Sequence, residues 1–566
     1  FNPIKYIIMI RFIKASKYII CVGLFSYIVS SCDNFFNTAP HDAITPATFW
    51  KTEQDADAAL TACYNWWFDQ CTGPNYIFFN DCMSDISFNR TGSSSYKQVA
   101  TGELNPNKVP NYYKYESIAR CNVFLANIHR PAFGNEEDRK NMIAQVRVIR
   151  AWEYLVINFW FGGIPLITEP TATAEEAQVA RSSEEEVKNF IYKELDEAIP
   201  DLPDEPSEKG RIAKGTALAI KMRAHLYYDD WKEARQAAYD IQKLNLYELD
   251  KDFIKMFSLE GQDSKEIIYA DQHIEDLYKF SDVVRLYNNQ DGGWASFVPT
   301  QNLVDMFEME NGLMPSEANS GYNERHPFAN RDPRLYNTII YPGMDWEGKN
   351  GKRIINTLDK TIDGKANKDY YSAATNASAT GLLYAKYTLP SIKQYSPSLN
   401  NDRLCPILFR YAEVLLTIAE CNVELNENLN TALDLIDELR IRGGHIAVDR
   451  TKYNTQDKIR ELVRRERTIE LAGEGLRRQD ILRWKDKDGK MVAETVMNKP
   501  LYHMVGTINY DEPDPTRRAV ITPPSEVSEK DRLIEQRKFE PYMRYWPIPY
   551  TQMEKNPKLV QNPGYK

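Results

Sequence analysis

The sequence predicts a mainly α-helical protein in which helical repeats pack against an irregular, loop-rich portion. Three observations predict it. Long segments repeat apolar residues at steps of three and four, as one face of a helix requires. One helix pair carries small residues where two helices would cross. Between the helical blocks lies a long stretch crowded with turn signals.

Composition sets the frame for the elements. The chain has 566 residues, 43% hydrophobic and 27% charged, which is the balance of an ordinary folded protein. A formal charge of -10 argues against nonspecific nucleic-acid binding, which depends on Lys and Arg. No basic run suits docking on anionic lipid. Aromatic residues make up 12%, with 34 Tyr and 10 Trp. Part of that excess belongs to the core, and part is available as a stacking platform.

Residues 1–31 read as a lipoprotein signal peptide. Arg11, Lys14 and Lys17 precede a short apolar run, Tyr18 to Ser30, and Met9 is the expected start. The run is shorter than the ~20 apolar residues a bilayer span needs. Cys32 directly after the cut is the expected lipidation site, and residues 32–46 are expected to be a polar tether. The rest, 47–566, is expected to form one body. Its helical repeats cover about 47–70, 111–250 and 405–445, its loop-rich portion about 71–110 and 251–403, and its C-terminal helices and tail 446–566.

Thr52, followed by Glu53 and Asp55, starts the first expected helix. Residues 71–110 are expected to be irregular, with Gly73-Pro74 and Gly92-Ser93-Ser94-Ser95 as breakers. Helices follow at about 111–130, 136–160, 183–199, 213–228 and 231–244; Ile149, Trp152, Val156 and Phe159 line one face of the second. Lys214 to Leu244 reads like a tetratricopeptide unit, with Ala217, Ala224, Leu226 and Tyr227 marking its first helix, Trp231, Ala234 and Ala238 its second, and small residues at the crossing. From about 250 the turn signals Asp291-Gly292-Gly293, Asp332-Pro333 and Asp363-Gly364 predict loops, short strands and short helices, the setting in which binding residues concentrate. Helices return at about 407–426, 429–442, 455–473 and 475–485. Charges from Glu461 to Arg483 fall at helical spacing and are expected to pair across a solvated face.

Six cysteines follow Cys32: Cys63, Cys71, Cys82, Cys121, Cys405 and Cys421. None forms a CxxC pair, so buried free thiols are expected, with a single disulfide among the first four as the alternative. No GxSxG, HExxH or GxxxxGK[ST] motif is present, and no carboxylate pair stands out for glycoside hydrolysis. Asp486-Lys487-Asp488-Gly489 starts like a calcium loop but lacks the later bidentate Glu, so a solvated turn is expected. No metal ligand, cofactor or catalytic residue is assigned; a structural calcium ion is left open.

A flat aromatic ring suits the apolar C–H face of a sugar, while amides, carboxylates and guanidinium groups bond its hydroxyls. Trp67, Tyr76 and Phe79 border or occupy the first loop region, with Asn80, Asp81 and Arg90 as hydrogen-bonding candidates. Trp294 follows a Gly-Gly turn, an unusual place for a core tryptophan. Tyr322 and Trp346 lie in later loops.

Several strings together resemble the RagB/SusD family of surface nutrient-binding lipoproteins, nearly end to end. They are Cys32-Asp33-Asn34-Phe35, Thr48-Phe49-Trp50, Phe161-Gly162-Gly163-Ile164-Pro165, Arg410-Tyr411-Ala412-Glu413, Leu439-Arg440-Ile441-Arg442-Gly443-Gly444, Arg465-Glu466-Arg467, Asp480-Ile481-Leu482-Arg483-Trp484 and Gln561-Asn562-Pro563-Gly564-Tyr565. The resemblance implies a SusD-like fold of four tetratricopeptide-like helix pairs beside a loop-built ligand site. It implies a non-catalytic receptor, lipid-anchored at the cell surface in the outer membrane. Such a receptor captures oligosaccharides and delivers them to a partner TonB-dependent (SusC-like) outer-membrane transporter. A peptide-binding member is the nearest alternative; an exported glycoside hydrolase and a helical-repeat scaffold or adhesin are the more distant ones. The family's ligand contacts lie in variable loops, so none of its binding residues transfers by matching.

Overall fold

The computed structural model describes residues 49–67, 74–92, 94–349, 351–372, 375–388 and 403–565. The expected leader and tether, with Cys32, and Cys71 lie outside them. The architecture is mainly helical. In chain order the helices are α1 (Glu53–Trp67), α2 (Pro74–Cys82), α3 (Ser95–Thr101), α4 (Glu116–Asn127), α5 (Glu136–Phe161), α6 (Glu184–Ala198), α7 (Lys214–Tyr227) and α8 (Trp231–Lys243), then the short α9 (Gln301–Met306) and α10 (Arg334–Thr338), then α11 (Tyr411–Glu424), α12 (Leu429–Arg442), α13 (Gln456–Glu470) and α14 (Arg477–Arg483).

The longest helix, α5, organises the first block. Asn135 caps its start by accepting the Glu137 N–H at 3.0 Å, and Glu136, Glu137 and Asp138 complement its dipole. From Ala144 to Phe161 most of its side chains are buried on every face, so it runs through the core and is covered all round by α1, α4 and α6. A capping box between Ser183 and Glu186 starts α6. Helix α5 stops where Gly162 and Gly163 turn to positive φ, 62° and 70°. Arg181 closes that end, donating to the carbonyls of Phe161 and Gly163 and to Val560 in the tail. The tail also contributes Trp546, whose ring stacks on Trp160 with centroids 4.3 Å apart and 10° between planes.

Helices α7 and α8 form a close pair, and α8 lies against α11, which pairs with α12. Ala217, Ala224, Ala234 and Ala238 are all fully buried there, as small residues at a crossing should be. Among the described residues the strands form two-stranded sheets: β1 (Ser87–Asn89) with β3 (Phe297–Pro299), β2 (Ile267–Ala270) with β10 (Ile407–Arg410), β4 (Ile339–Ile340) with β9 (Leu383–Tyr384), the hairpin β5 (Asp345–Gly348) with β6 (Gly351–Ile354), and the hairpin β7 (Thr361–Ile362) with β8 (Lys365–Ala366), followed by two pairs in the tail. No described helix is long and apolar enough to cross a membrane.

Three expectations need correction. Residues 74–82 are helical rather than irregular, because proline fits the first turn of a helix, where its missing N–H is not needed. Residues 407–410 form a strand rather than the start of a helix; a short, wholly buried apolar run reads either way. Most of the Glu461–Arg483 charges are paired in the interior rather than across a solvated face, and the pairing is not along one helix, since α13 ends at Glu470 before a turn with Gly473 and Gly475 at positive φ.

Those charges instead join the two portions of the molecule. Arg410 donates to Glu266, Glu470 and Glu474, each at 2.7 Å. Arg442 also pairs with Glu266 and Glu470. Arg440 bridges Glu308 and Glu466 at 2.6 Å, and Arg334 reaches Glu466 at 2.7 Å. In each of these pairs both partners are buried or nearly so. The five described cysteines are free and buried, with Cys121 beside Cys63. The Asp486–Gly489 segment is an exposed turn in which the Asp486 carboxylate accepts the N–H groups of Asp488 and Lys490.

Candidate functional site

The site grows from the turn at Asn288–Trp294. The Asn288 amide accepts the Asp291 N–H at 3.0 Å and donates to the Asp291 carboxylate at 2.9 Å. Gly292 then takes φ +89°, which a side chain would resist, and a Cβ on Gly293 would run into the Tyr287 carbonyl. This tight geometry leaves the Trp294 ring 40% exposed, with the Arg285 guanidinium 5.4 Å from its centroid.

Asp291 is the anchor. Its buried carboxylate accepts from the Trp346 indole at 2.7 Å, the Lys349 N–H at 3.0 Å and both Arg353 nitrogens at 3.0 and 2.8 Å. Burial alone would raise its pKa, but Arg353, Asn288 and Trp346 outweigh burial and hold it below the usual range. Trp346 and Arg353 sit opposite each other on the β5–β6 hairpin. The hairpin approaches so closely that a side chain at Gly348 would strike the Asp291 carboxylate.

Between this hairpin and the loop after β6 lies an open groove of about 950 Å³. Trp346, Ile354 and Ile362 give it apolar surface; Gln290, Asn356, Asn367 and Asp369 give it amides and a carboxylate. Tyr510, from the tail, is 51% exposed, and its hydroxyl accepts from the Asn356 amide at 2.8 Å. Asn367 ties the loop together by donating to the carbonyls of Asn356 and Asp359, both at 2.8 Å. Asp369 accepts the Gln290 N–H at 3.0 Å, and its burial pushes the carboxyl pKa up to about 6. The groove is therefore held in shape before any ligand arrives, with aromatic and amide groups along one opening.

The same loop continues to Asn376, whose side chain accepts from Arg90 at 2.9 Å. The Arg90 N–H bonds to Ser296, extending the β1–β3 ladder toward Trp294. Arg90 thus ties Asn376 to Ser296, two residues after Trp294. Tyr322 lies elsewhere, in a second groove of about 450 Å³ with Tyr502 and His503. Tyr371, two residues after the groove-lining Asp369, lies with its ring 6.3 Å from that of His503 in the second groove.

Four expected contact residues belong to the core instead. Trp67 is wholly buried against Tyr64 and Tyr269, so neither ring face is open to a sugar. Phe79 stacks on Tyr96 at 4.5 Å and meets Phe297 edge-on at 4.4 Å. Asn80 is buried and accepts from the Tyr112 hydroxyl. The Asp81 carboxylate accepts the N–H groups of Gly473 and Arg477, fixing the turn after α13, and burial raises its pKa to about 6. The Trp346 ring is also buried, so it frames the groove more than it faces it. The Tyr76 side chain lies outside what the structure describes.

Tyr510, Asn356, Asn367 and Asp369 escaped the reading of the sequence. The Asp363-Gly364 turn marks a loop there, but no local pattern tells that residue 510 folds back onto residue 356.

Two family models match the chain. One, described as the SusD family, covers residues 253–565, and one described as starch-binding associating with outer membrane covers residues 43–226. The SusD-like protein P38 of Formosa agariphila is 23% identical over 574 residues, spanning 95% of this chain and 96% of its own. A crystal structure of a SusD-like carbohydrate binding protein from Bacteroides fragilis superposes with a TM-score of 0.77 at 27% identity, covering 91% of this chain and 100% of its own. Surface glycan-binding protein A from Bacteroides fluxus matches with a TM-score of 0.64 at 20% identity, covering 91% of this chain and all of its own.

Proposed function

This chain belongs to the SusD family of carbohydrate-binding proteins, and from that membership we propose that it is a lipid-anchored surface receptor for oligosaccharides. The observation that carries the reading is the open groove beside Asp291, where Tyr510 offers an exposed ring and Gln290, Asn356 and Asn367 surround it with amides. A ring against one sugar face and amides at its edge would hold a glycan by stacking and hydroxyl hydrogen bonds. Trp294 and Arg90 would offer further contacts to a longer chain. The acylated Cys32 would keep the receptor at the outer membrane, and a TonB-dependent transporter would take up the captured ligand. The reading is of a receptor that binds without catalysis, with Asp369 holding the Gln290 N–H as part of the frame.

The test is calorimetric titration of the purified chain with a panel of soluble oligosaccharides, with reducing ends assayed in parallel. Saturable binding without new reducing ends is expected. Release of reducing ends would assign the groove to a hydrolase, and binding of peptides alone would move the ligand class. Co-purification with a TonB-dependent barrel from native membranes tests the partner.

A further inference from the structure

The second groove shares no lining residue with the first. Much of it is built by the tail, whose strand pairs are β11 (Pro500–Tyr502) with β14 (Leu533–Gln536) and β12 (Gly506–Ile508) with β13 (Ala519–Ile521). Residues 499–505, Ile521, Thr522 and Arg532 line it, together with Gln301, Asn302 and Asp305 of α9 and with Tyr322.

Arg532 is its most telling side chain. Tyr502 pairs in register with Leu533, and the His503 N–H donates to the Arg532 carbonyl at 2.9 Å. This pairing sets the Arg532 guanidinium 3.9 Å from the centroid of the Tyr502 ring. The Tyr502 hydroxyl donates to Glu529 at 2.6 Å, so the ring is fixed from its far end. Arg532 itself bonds nothing. Its Nε is buried without a hydrogen-bond partner, and none of its nitrogens forms a hydrogen bond or an ion pair with a described residue. A guanidinium pinned on an aromatic face keeps its N–H edges aimed with little motion left to lose.

The rest of the lining supplies what a free guanidinium lacks. Asp305 takes one bond from the Gln301 amide at 2.7 Å and has capacity for more. The Asn302 amide donates to the Asp85 carbonyl at 3.1 Å, while its oxygen accepts from no described residue. Tyr322 adds a half-buried ring, packed against the Arg331 guanidinium at 5.6 Å, and Met504, Val505 and Ile521 add apolar surface. The charges of the lining balance, Lys499 and Arg532 against Asp305 and Glu324. Such a surface suits a neutral ligand whose groups both donate and accept, as sugar hydroxyls do, on a body with an apolar face.

We infer that this groove is a second, separate site for neutral saccharides, with Arg532 and Asp305 bonding hydroxyls and Tyr322 meeting a ring. The inference rests on the receptor reading above and adds a site to it. One chain would then hold sugar at two places, on either side of residues 369–371.

Equilibrium dialysis of the purified chain against labelled maltotriose, cellotriose, laminaritriose and mannotriose counts the sites. At least one of these probes is expected to fill two sites per chain. Arg532→Gln should weaken one of them about tenfold, the loss of a charged hydrogen-bond donor, and leave the other as it was. Tyr510→Ala should do the reverse. The melting temperature of Arg532→Gln is expected to stay put, because that guanidinium holds no other part of the protein. A single site per chain, or two sites both indifferent to Arg532→Gln, overturns the inference. If the single site responds to Tyr510→Ala, the receptor reading stands with its first groove; if it responds to Arg532→Gln alone, that reading has the wrong groove. Uptake of no saccharide overturns both.

Discussion

Charged residues meet opposite fates in two regions of this molecule. At the joint between helices and loops, Arg410, Arg440 and Arg442 are buried and each is held by two or more carboxylates. On the groove hairpins the lysines are exposed and form no ion pair with a described residue, and Lys360 lies over the Tyr370 ring. The difference separates charges that hold the fold together from charges that stay in water. Guanidinium groups in fixed forks set the angle between portions, because an unpaired charge in that interior would be very unfavourable. Ammonium groups at loop tips lose little by staying in water.

The largest test of this contrast is Arg410→Met. It removes the guanidinium shared by Glu266, Glu470 and Glu474, leaving three buried carboxylates to Arg442 and Lys386 alone, and is expected to destabilise by about 3–5 kcal/mol, read by urea unfolding. A loss under about 1 kcal/mol would mean that the joint does not depend on these pairs. Asp291→Ala comes next. It frees the Trp346 indole and Arg353, and should lower stability by about 1–3 kcal/mol while weakening glycan binding well beyond that of any single exposed contact.

Acidity separates the regions in sign. Burial pushes Glu420 up, but the two-pronged bond from Arg483, with Arg467 and the Trp484 indole, outweighs it and holds the carboxyl well below its usual range. Its stabilisation is complete above the ordinary value of 4.5 and disappears as pH falls below it. Asp369 behaves oppositely. With its pKa raised from 3.8 to about 6, it favours the folded state less as pH rises through that window, and the effect is flat above it. Each slope is at most about 1.4 kcal/mol per pH unit. Urea unfolding from pH 3.5 to 8 should show Glu420→Gln losing most at neutral pH, and Asp369→Asn gaining more at pH 7 than at pH 4.

The smallest effects sit at the exposed rings. Tyr510→Ala is expected to weaken glycan binding by about 1 kcal/mol while shifting stability by no more than about 0.5 kcal/mol. Trp294→Ala should weaken binding less, again without lowering the melting temperature. Normal binding by both variants would place the stacking platform elsewhere.

Much of the helical scaffold was legible because its periodicity is local. Glu136–Phe161, Lys214–Tyr227 and Leu429–Arg442 fall close to where apolar spacing and caps put them. The turn at Asp291-Gly292-Gly293 was legible too, and it does hold an exposed tryptophan. The roles of Trp67 and Phe79 were not, since an aromatic beside a loop looks the same whether it faces solvent or the core. Nor were the charge pairs, because Arg410 finds Glu266 and Glu474 only after the chain has folded. Tyr510 was hidden for the same reason.

The stack of Trp160 on Trp546 has a temporal consequence. A polypeptide emerging from its amino end exposes the first indole long before the second exists, so the central rod stays open at one end until residue 546 has been made. Shortening the chain ahead of residue 546 would leave that apolar wound permanent, and clumping rather than loss of ligand would be the first symptom.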